Sequence, residues 1–345
     1  MINFLKGILR ATLIAPIVKK DQNFINNIKV EYNKTLKFGN KNKNLIFYII
    51  KRNFLATGFF SNLFFVIDHL NYAFKNRLVP FVDMENFTTV YNEKNIVNNT
   101  KNSWEYYFYN FFKKKNIYKS CKVIFSNNLR NTKDIFKKNN KFKKIFKKYI
   151  KILPQHLVKY KKIKSIIFAK KEKILGISIS GGLQKIVRRH CFPLKPEQIL
   201  EISKKIYTAE NCTKVFLVTR DLDYYNKLKD YYKDKFIEYD LLRSKSRFLG
   251  SHNIHFEQYC RKNHRYKLGQ ETLIDGLLLT NSPVLLCDYT NISLFAFLNS
   301  KKNTTYLIRS DLNSNNIFLA RWLWYLKSYF PIIFGKINYK IIKYK

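Results

Sequence analysis

Between Ile174 and Asp288 the chain repeats one pattern, a short apolar run rich in β-branched residues followed by a stretch of helical periodicity. Ile174 to Ser180 reads as a strand that enters Gly181-Gly182, Pro196 to Tyr207 as a helix, and Lys214 to Thr219 as a buried strand. Leu222 to about Lys233 is a second helix, Lys235 to Tyr239 a third strand, Gln270 to Asn281 a helix and Val284 to Asp288 a fourth strand. Strands separated by whole helices cannot pair as tight hairpins; they require crossovers and so a parallel sheet covered on both faces. The region from about 165 to 300 is therefore expected to be a doubly wound α/β domain. Upstream, Leu45 to Ile50 reads as a strand, Gly58 to Asn76 as a helix and Leu78 to Asp83 as an extended segment, again a β–α–β order. The expected fold class is α/β, with two Rossmann-like domains facing a central cleft. One spans 1–164 and carries a basic helical segment at 111–164; the other spans 165–345 and ends in a helical tail. Ligands of such sheets bind outside the carboxyl ends of the strands, which directs attention to the Gly181-Gly182 loop.

Charge is the second constraint. Lys+Arg number 65 against 23 Asp+Glu, a formal net charge of +42, while 46% of residues are hydrophobic and 17% aromatic. That apolar content excludes an intrinsically disordered chain. The charge suggests a polyanionic partner, but only 13 of the basic residues are Arg, the side chain that phosphates and bases favour for its planar fork. A general excess of Lys, Asn, Ile, Phe and Tyr points to coding bias, and no specific nucleic acid is expected. Phe111 to Lys173 holds 22 Lys/Arg against Asp134 and Glu172. Within it Phe142, Ile145, Phe146, Tyr149, Ile150 and Leu153 fall on one helical face, with Pro154 ending that helix and Gln155 to Lys164 forming another. Two readings stand: a face for peripheral contact with an anionic membrane, or a connecting helix with one buried stripe and a solvated lysine face.

The five cysteines, Cys121, Cys191, Cys212, Cys260 and Cys287, are scattered and form no CxxC pair, as expected of a cytoplasmic protein. The apolar segment from Met1 to Pro16 is broken by Lys6 and Arg10 and reads as a helix packed on the body rather than a span or signal peptide. His252 and His255 lack a carboxylate or Cys at ligand spacing, so no metal site is expected.

Several blocks, in order, resemble one family. They are Gly58-Phe-Phe-Ser-Asn, Val79-Pro-Phe-Val-Asp83, Asn102-Ser-Trp-Glu-Tyr-Tyr-Phe108, and Lys147-Lys-Tyr-Ile-Lys-Ile-Leu-Pro-Gln-His156. Arg189-His-Cys-Phe-Pro-Leu-Lys-Pro196, Val215-Phe-Leu-Val-Thr-Arg-Asp221, Arg243-Ser244, Gly269-Gln-Glu-Thr-Leu-Ile-Asp275 and Asn291-Ile-Ser293 follow. Together they are similar to the bacterial α-1,6-fucosyltransferase-like proteins of the O-fucosyltransferase superfamily. The resemblance spans roughly residues 45 to 300. It implies a GT-B fold, a GDP-sugar donor, that is GDP-fucose, an inverting transfer to a glycan acceptor, and neither metal nor cofactor. It also implies work on surface polysaccharide or lipid-linked oligosaccharide at the inner face of a membrane. One departure is sharp: where the family places a donor-binding Arg and, shortly after, an Asp, this chain has Ser180 and Leu183. A homologue that binds nucleotide or glycan without transfer is the alternative, and a basic membrane- or RNA-binding protein the second.

Transfer from a nucleotide sugar needs neutralisation of a departing diphosphate, a base for the acceptor hydroxyl, and positioning of both. Gly181 and Gly182 allow backbone to approach a phosphate, though a Gly-Gly pair is also an ordinary turn. Arg189 is the candidate to replace the missing Arg, with His190 beside it. Arg243, after a strand end, is a candidate for diphosphate or base contact or else a surface Arg. Glu271 and Asp275, one turn apart on a helix, are candidates for catalytic and donor contact, or a capping and a solvated carboxylate. Thr290, Asn291 and Ser293 follow a buried strand, where they can bind phosphate or sugar or open the next helix. Trp104, Tyr106 and Tyr107 form either a sugar-stacking surface or a core cluster.

Overall fold

The computed structural model describes residues 34–52, 58–112, 114–127, 139–168, 172–243, 261–300 and 303–344. The segment Met1 to Pro16, His252, His255, Cys260 and Ser244 lie outside the described residues. The chain is of the α/β class. Its described residues divide into two compact units, one of residues 162–243 and 275–344, the other of residues 34–161 together with 261–274.

The unit formed by the earlier residues holds a four-stranded sheet. β1 (Thr35–Leu36), β2 (Phe47–Ile50), β3 (Val79–Val82) and β4 (Val123–Phe125) lie in the order β1-β4-β2-β3. β2 runs parallel to both β3 and β4, and β1 is antiparallel to β4. The strands are short and apolar because both faces are covered: Phe47, Ile49, Phe81, Val123 and Phe125 are fully buried. Between β2 and β3 runs α1 (Phe59–Lys75), whose apolar residues are spread around most of its surface. The lysine-rich helix α2 (Asn139–Tyr149) packs on α1, with the Phe142 ring 4.4 Å from that of Phe64 and Tyr149 stacked on Phe74 at 4.0 Å. Its apolar stripe thus packs inside the unit through Phe142 and Tyr149, while Lys144, Lys147 and Lys148 are exposed. The connecting-helix reading of that segment is the one the packing supports. Pro154 opens α3 (Pro154–Ile167), as its fixed φ and missing N–H allow at a first turn.

The other unit is built on a six-stranded sheet of β5 (Ile174–Ser178), β6 (Lys214–Val218), β7 (Phe236–Ile237), β8 (Val284–Asp288), β9 (Thr304–Ser310) and β10 (Tyr339–Tyr344). Their order is β10-β9-β8-β5-β6-β7, parallel throughout except for β10, which is antiparallel to β9. The crossovers carry α4 (Pro196–Ala209), α5 (Leu222–Tyr232), α6 (His264–Leu279), whose residues up to 274 belong to the earlier unit, and α7 (Asn291–Asn299). Leu175, Ile177, Val215, Leu217, Ile199, Leu228 and Leu286 form the core between sheet and helices. Each such side chain contributes roughly 1.5–3 kcal/mol by leaving water. Gly176 lies under Ser282, where any side chain would collide.

Three expectations need correction. The third strand stops at Ile237 because Glu238 turns outward to Lys229 and Tyr225. α6 begins at His264 rather than at Gln270, so that Gly269 lies inside the helix, where the Tyr107 ring occupies the space of a side chain. The chain after 300 is not a helical tail. β9 and β10 extend the sheet there, with α8 (Ile317–Tyr329) and the single turn α9 (Pro331–Phe334) between them.

Candidate functional site

Strand order locates the site. β5 is the first strand of its sheet; the chain moves from it to β6 on one side and later returns to β8 on the other. The carboxyl ends of β5 and β8 therefore flank the point where the winding reverses, the place where such sheets open a crevice for ligands.

There the loop Ser180-Gly181-Gly182 leaves β5, and Asp288-Tyr289-Thr290-Asn291 leaves β8. The two are tied together. The Ser180 N–H donates to Asp288 Oδ2 at 2.6 Å, Thr290 Oγ1 donates to Asp288 Oδ1 at 3.0 Å, and Ser293 Oγ bridges to Ser178 Oγ at 3.2 Å and to Asp288 Oδ1 at 3.3 Å. Thr290 is also the N-cap of α7, accepting from the Ser293 N–H. Burial pushes the Asp288 carboxyl up to about 7, against the opposing pull of the Ser180 N–H and the two hydroxyls. Gly181 is pressed on Asp221, so that a Cβ would sit 2.8 Å from the Asp221 Cβ. Asp221 in turn caps α5 through the Asp223 N–H at 2.9 Å. Gly182 starts a 3-10 turn, Gly182–Lys185, whose last residue is buried with its ammonium 4.4 Å from the centre of the Trp324 ring. Burial holds that ammonium below the usual lysine range, while Asp221 and Asp223 draw it back up.

Arg189 and His190, by contrast, are exposed. Arg189 sits at φ 59° and its Nε donates to Asn315 Oδ1 at 2.7 Å. His190 uses its carbonyl to hold the Asn313 N–H at 2.8 Å.

A second cluster lies past β6 and β7. Arg220 pairs with Asp275 across 3.4 Å and donates to the Leu242 carbonyl at 3.1 Å. Asp275 is almost fully buried, and its Oδ1 has no hydrogen-bond partner among the described residues. Burial drives this carboxyl up to about 7, with Arg220 opposing. Arg243 stacks its guanidinium 3.8 Å from the centre of the Tyr225 ring, and burial lowers its pKa. Glu271, one turn before Asp275, is ion-paired with Arg261 at 2.5 Å.

The aromatic block is core. Trp104, Tyr106 and Tyr107 are all buried, with the Tyr107 ring stacked on Tyr266 at 5.8 Å and its hydroxyl donating to the Tyr266 carbonyl at 3.0 Å. His156, also buried, bonds the Tyr106 carbonyl at 2.7 Å and Gln270 at 3.0 Å. Asn102 fastens the same block to the end of β3, donating to the Val82 carbonyl at 2.7 Å.

No family model matches the chain, and no curated protein matches its sequence. Solved structures do. The chain is similar to the NodZ α-1,6-fucosyltransferase soaked with GDP-fucose, at 12% identity and TM-score 0.49, over 87% of this chain and 100% of that one. It is similar to a mutant of Arabidopsis thaliana FUT1 in complex with GDP, at 9% identity and TM-score 0.47, over 78% and 72%. It is also similar to POFUT1 in complex with GDP-fucose, at 8% identity and TM-score 0.39, over 74% and 95%. Among the described residues no helix is long and apolar enough to cross a membrane, and no cluster of His, Cys, Asp or Glu could hold a metal ion.

Of the residues singled out in the sequence, Gly181, Gly182, Thr290, Asn291 and Ser293 meet at the two strand ends. Arg243 and Asp275 meet around Arg220, whereas Arg189, His190 and Glu271 point to other partners. Sequence reading missed Asp288, Arg220 and Lys185. Asp288 and Arg220 had a usable signal, since each is a charged residue at the carboxyl end of a buried strand.

Proposed function

We propose that this chain is a glycosyltransferase that takes fucose from GDP-fucose and passes it, with inversion and without metal, to a glycan acceptor of a surface polysaccharide or lipid-linked oligosaccharide. The observation that carries the reading is the meeting of the glycine loop Ser180-Gly181-Gly182 with the family-like block Asn291-Ile-Ser293 at the switch point of one parallel sheet. The donor diphosphate is assigned to this crevice, where the backbone of the Gly181-Gly182 turn and the N-terminus of α7 favour an anion. The positive charge that Ser180 cannot supply is assigned to Lys185, which the turn carries inward. As the GDP leaves, these fixed dipoles and the ammonium meet the charge developing on the diphosphate without having to reorganise. Arg243 on Tyr225 is assigned to the nucleotide. Glu271 and Asp275, ion-paired to Arg261 and Arg220, enter the reading as residues that position arginines.

Ser180 in place of Arg favours a second reading, nucleotide binding without transfer. Calorimetry with GDP, followed by turnover with a panel of GDP-sugars, tests both. Saturable GDP binding with release of GDP from GDP-fucose in the presence of a glycan acceptor is the expected result. Binding without turnover on any acceptor selects the second reading, and absence of GDP binding removes both.

A further inference from the structure

The exposed apolar surface of this molecule is concentrated where the sequence reading did not look. After α8 the chain makes the single turn Pro331–Phe334 and reverses into β10 through Gly335, whose φ of +74° only glycine adopts without strain. On this tip Ile332 is 99% exposed and Ile333 74%, with Phe330, Phe334, Tyr329 and Tyr339 all exposed beside them. Two adjacent isoleucines left in water, flanked by four aromatic rings, exceed the scattered apolar exposure of an ordinary surface.

The tip is ringed by positive charge. Residues 312–345 contain Arg321, Lys327, Lys336, Lys340, Lys343 and Lys345 and no Asp or Glu. A groove of about 540 Å³ at its base is lined by Lys195, Lys327 and Lys336 together with Pro331 and Tyr339. Lys195 donates to the Ser328 carbonyl at 2.8 Å, which anchors it at the groove wall. Two acids meet these lysines: Asp311, 3.8 Å from Lys327 and already accepting from the Asn338 N–H, and Glu210, 2.9 Å from Lys343.

We propose that the α9 tip is a membrane-docking element that inserts into the surface of an anionic phospholipid bilayer. Its chemistry is layered as that surface is layered. The isoleucines and Phe334 match the acyl boundary, Tyr329 and Tyr339 the interface where amphipathic rings settle, and the lysines the phosphates above it. Lys195, Lys336 and Lys340 leave the rim with an excess of positive charge beyond the Lys327–Asp311 and Lys343–Glu210 pairs, which selects an anionic bilayer over an ordinary protein surface presenting both signs. The proposal is independent of the transferase reading.

Co-sedimentation of the full chain with vesicles of phosphatidylserine and phosphatidylcholine, against vesicles of phosphatidylcholine alone, tests it. Binding to the anionic vesicles only is expected. The double substitution I332E/I333E, at positions without core contacts, should lower the partition coefficient at least tenfold, and K336Q/K340Q at least threefold, with thermal midpoints unchanged. Any of three results overturns the proposal. They are no binding of the native chain to anionic vesicles, undiminished binding of I332E/I333E, or a native self-association that I332E/I333E abolishes, which would make a second copy the occupant.

Discussion

Two pairs of segments, one distinctive in sequence and one plain, do different physical work. Asn102 to Phe108 and Gly269 to Asp275 are its most distinctive stretches, yet they serve chiefly to pack. Tyr107 fills the space over Gly269, its hydroxyl holds the Tyr266 carbonyl, and Gln270 holds His156. Ser178 to Gly182 and Asp288 to Ser293 are plain by comparison, small and hydroxylated. They nonetheless occupy the ends of the two strands that flank the switch point. The difference teaches that a distinctive motif marks a position with many simultaneous requirements, and dense packing imposes as many as chemistry does.

That contrast can be broken experimentally. Gly269→Ala should have the largest effect, because its new Cβ has nowhere to go but into a buried ring. A loss on the order of 3 kcal/mol is expected in denaturant unfolding. Tyr107→Phe alone should cost about 1 kcal/mol for the lost hydrogen bond, and in the double variant the two losses should be clearly non-additive. Additive losses would mean that the ring and the glycine do not constrain each other.

Asp275 ties the packing block to pH. Its carboxyl titrates near 7 in the fold against an ordinary 3.8, so the unfolded chain releases this proton first. The fold is then penalised progressively as pH rises from about 4 to about 7, and the penalty is complete above that. Relative to Asp275→Asn, the native chain should lose stability progressively over this window. Parallel stability curves for the two proteins would show that Arg220 neutralises the carboxylate fully.

The smallest structural effect should come at the cation candidates, where GDP affinity is the readout. Lys185→Met is expected to weaken GDP binding about tenfold, about 1.4 kcal/mol. Arg189→Ala, held on Asn315 at the surface, should leave both affinity and stability nearly unchanged. The opposite ranking would return the missing charge to Arg189.

By itself the sequence determined the α/β class, the strands of the central sheet from β5 to β8, and the glycine loop worth examining. Those follow from local periodicity, and buried parallel strands are legible as short apolar runs between helices. It did not disclose β9 and β10, because Thr304 to Ser310 and Tyr339 to Tyr344 lack a crossover helix pattern that would assign them to the same sheet. Nor did it reveal that Thr290 and Ser293 share Asp288, that Asp275 is buried against Arg220, or that Arg189 turns to Asn315. Only the tertiary structure decided these, because a side chain's partner, burial and pKa depend on residues tens of positions away that strand order brings together. The lysines were visible from the start. Which of them surround an apolar tip, and which merely keep α2 wet, became decidable only once the buried stripe of that helix was found against α1.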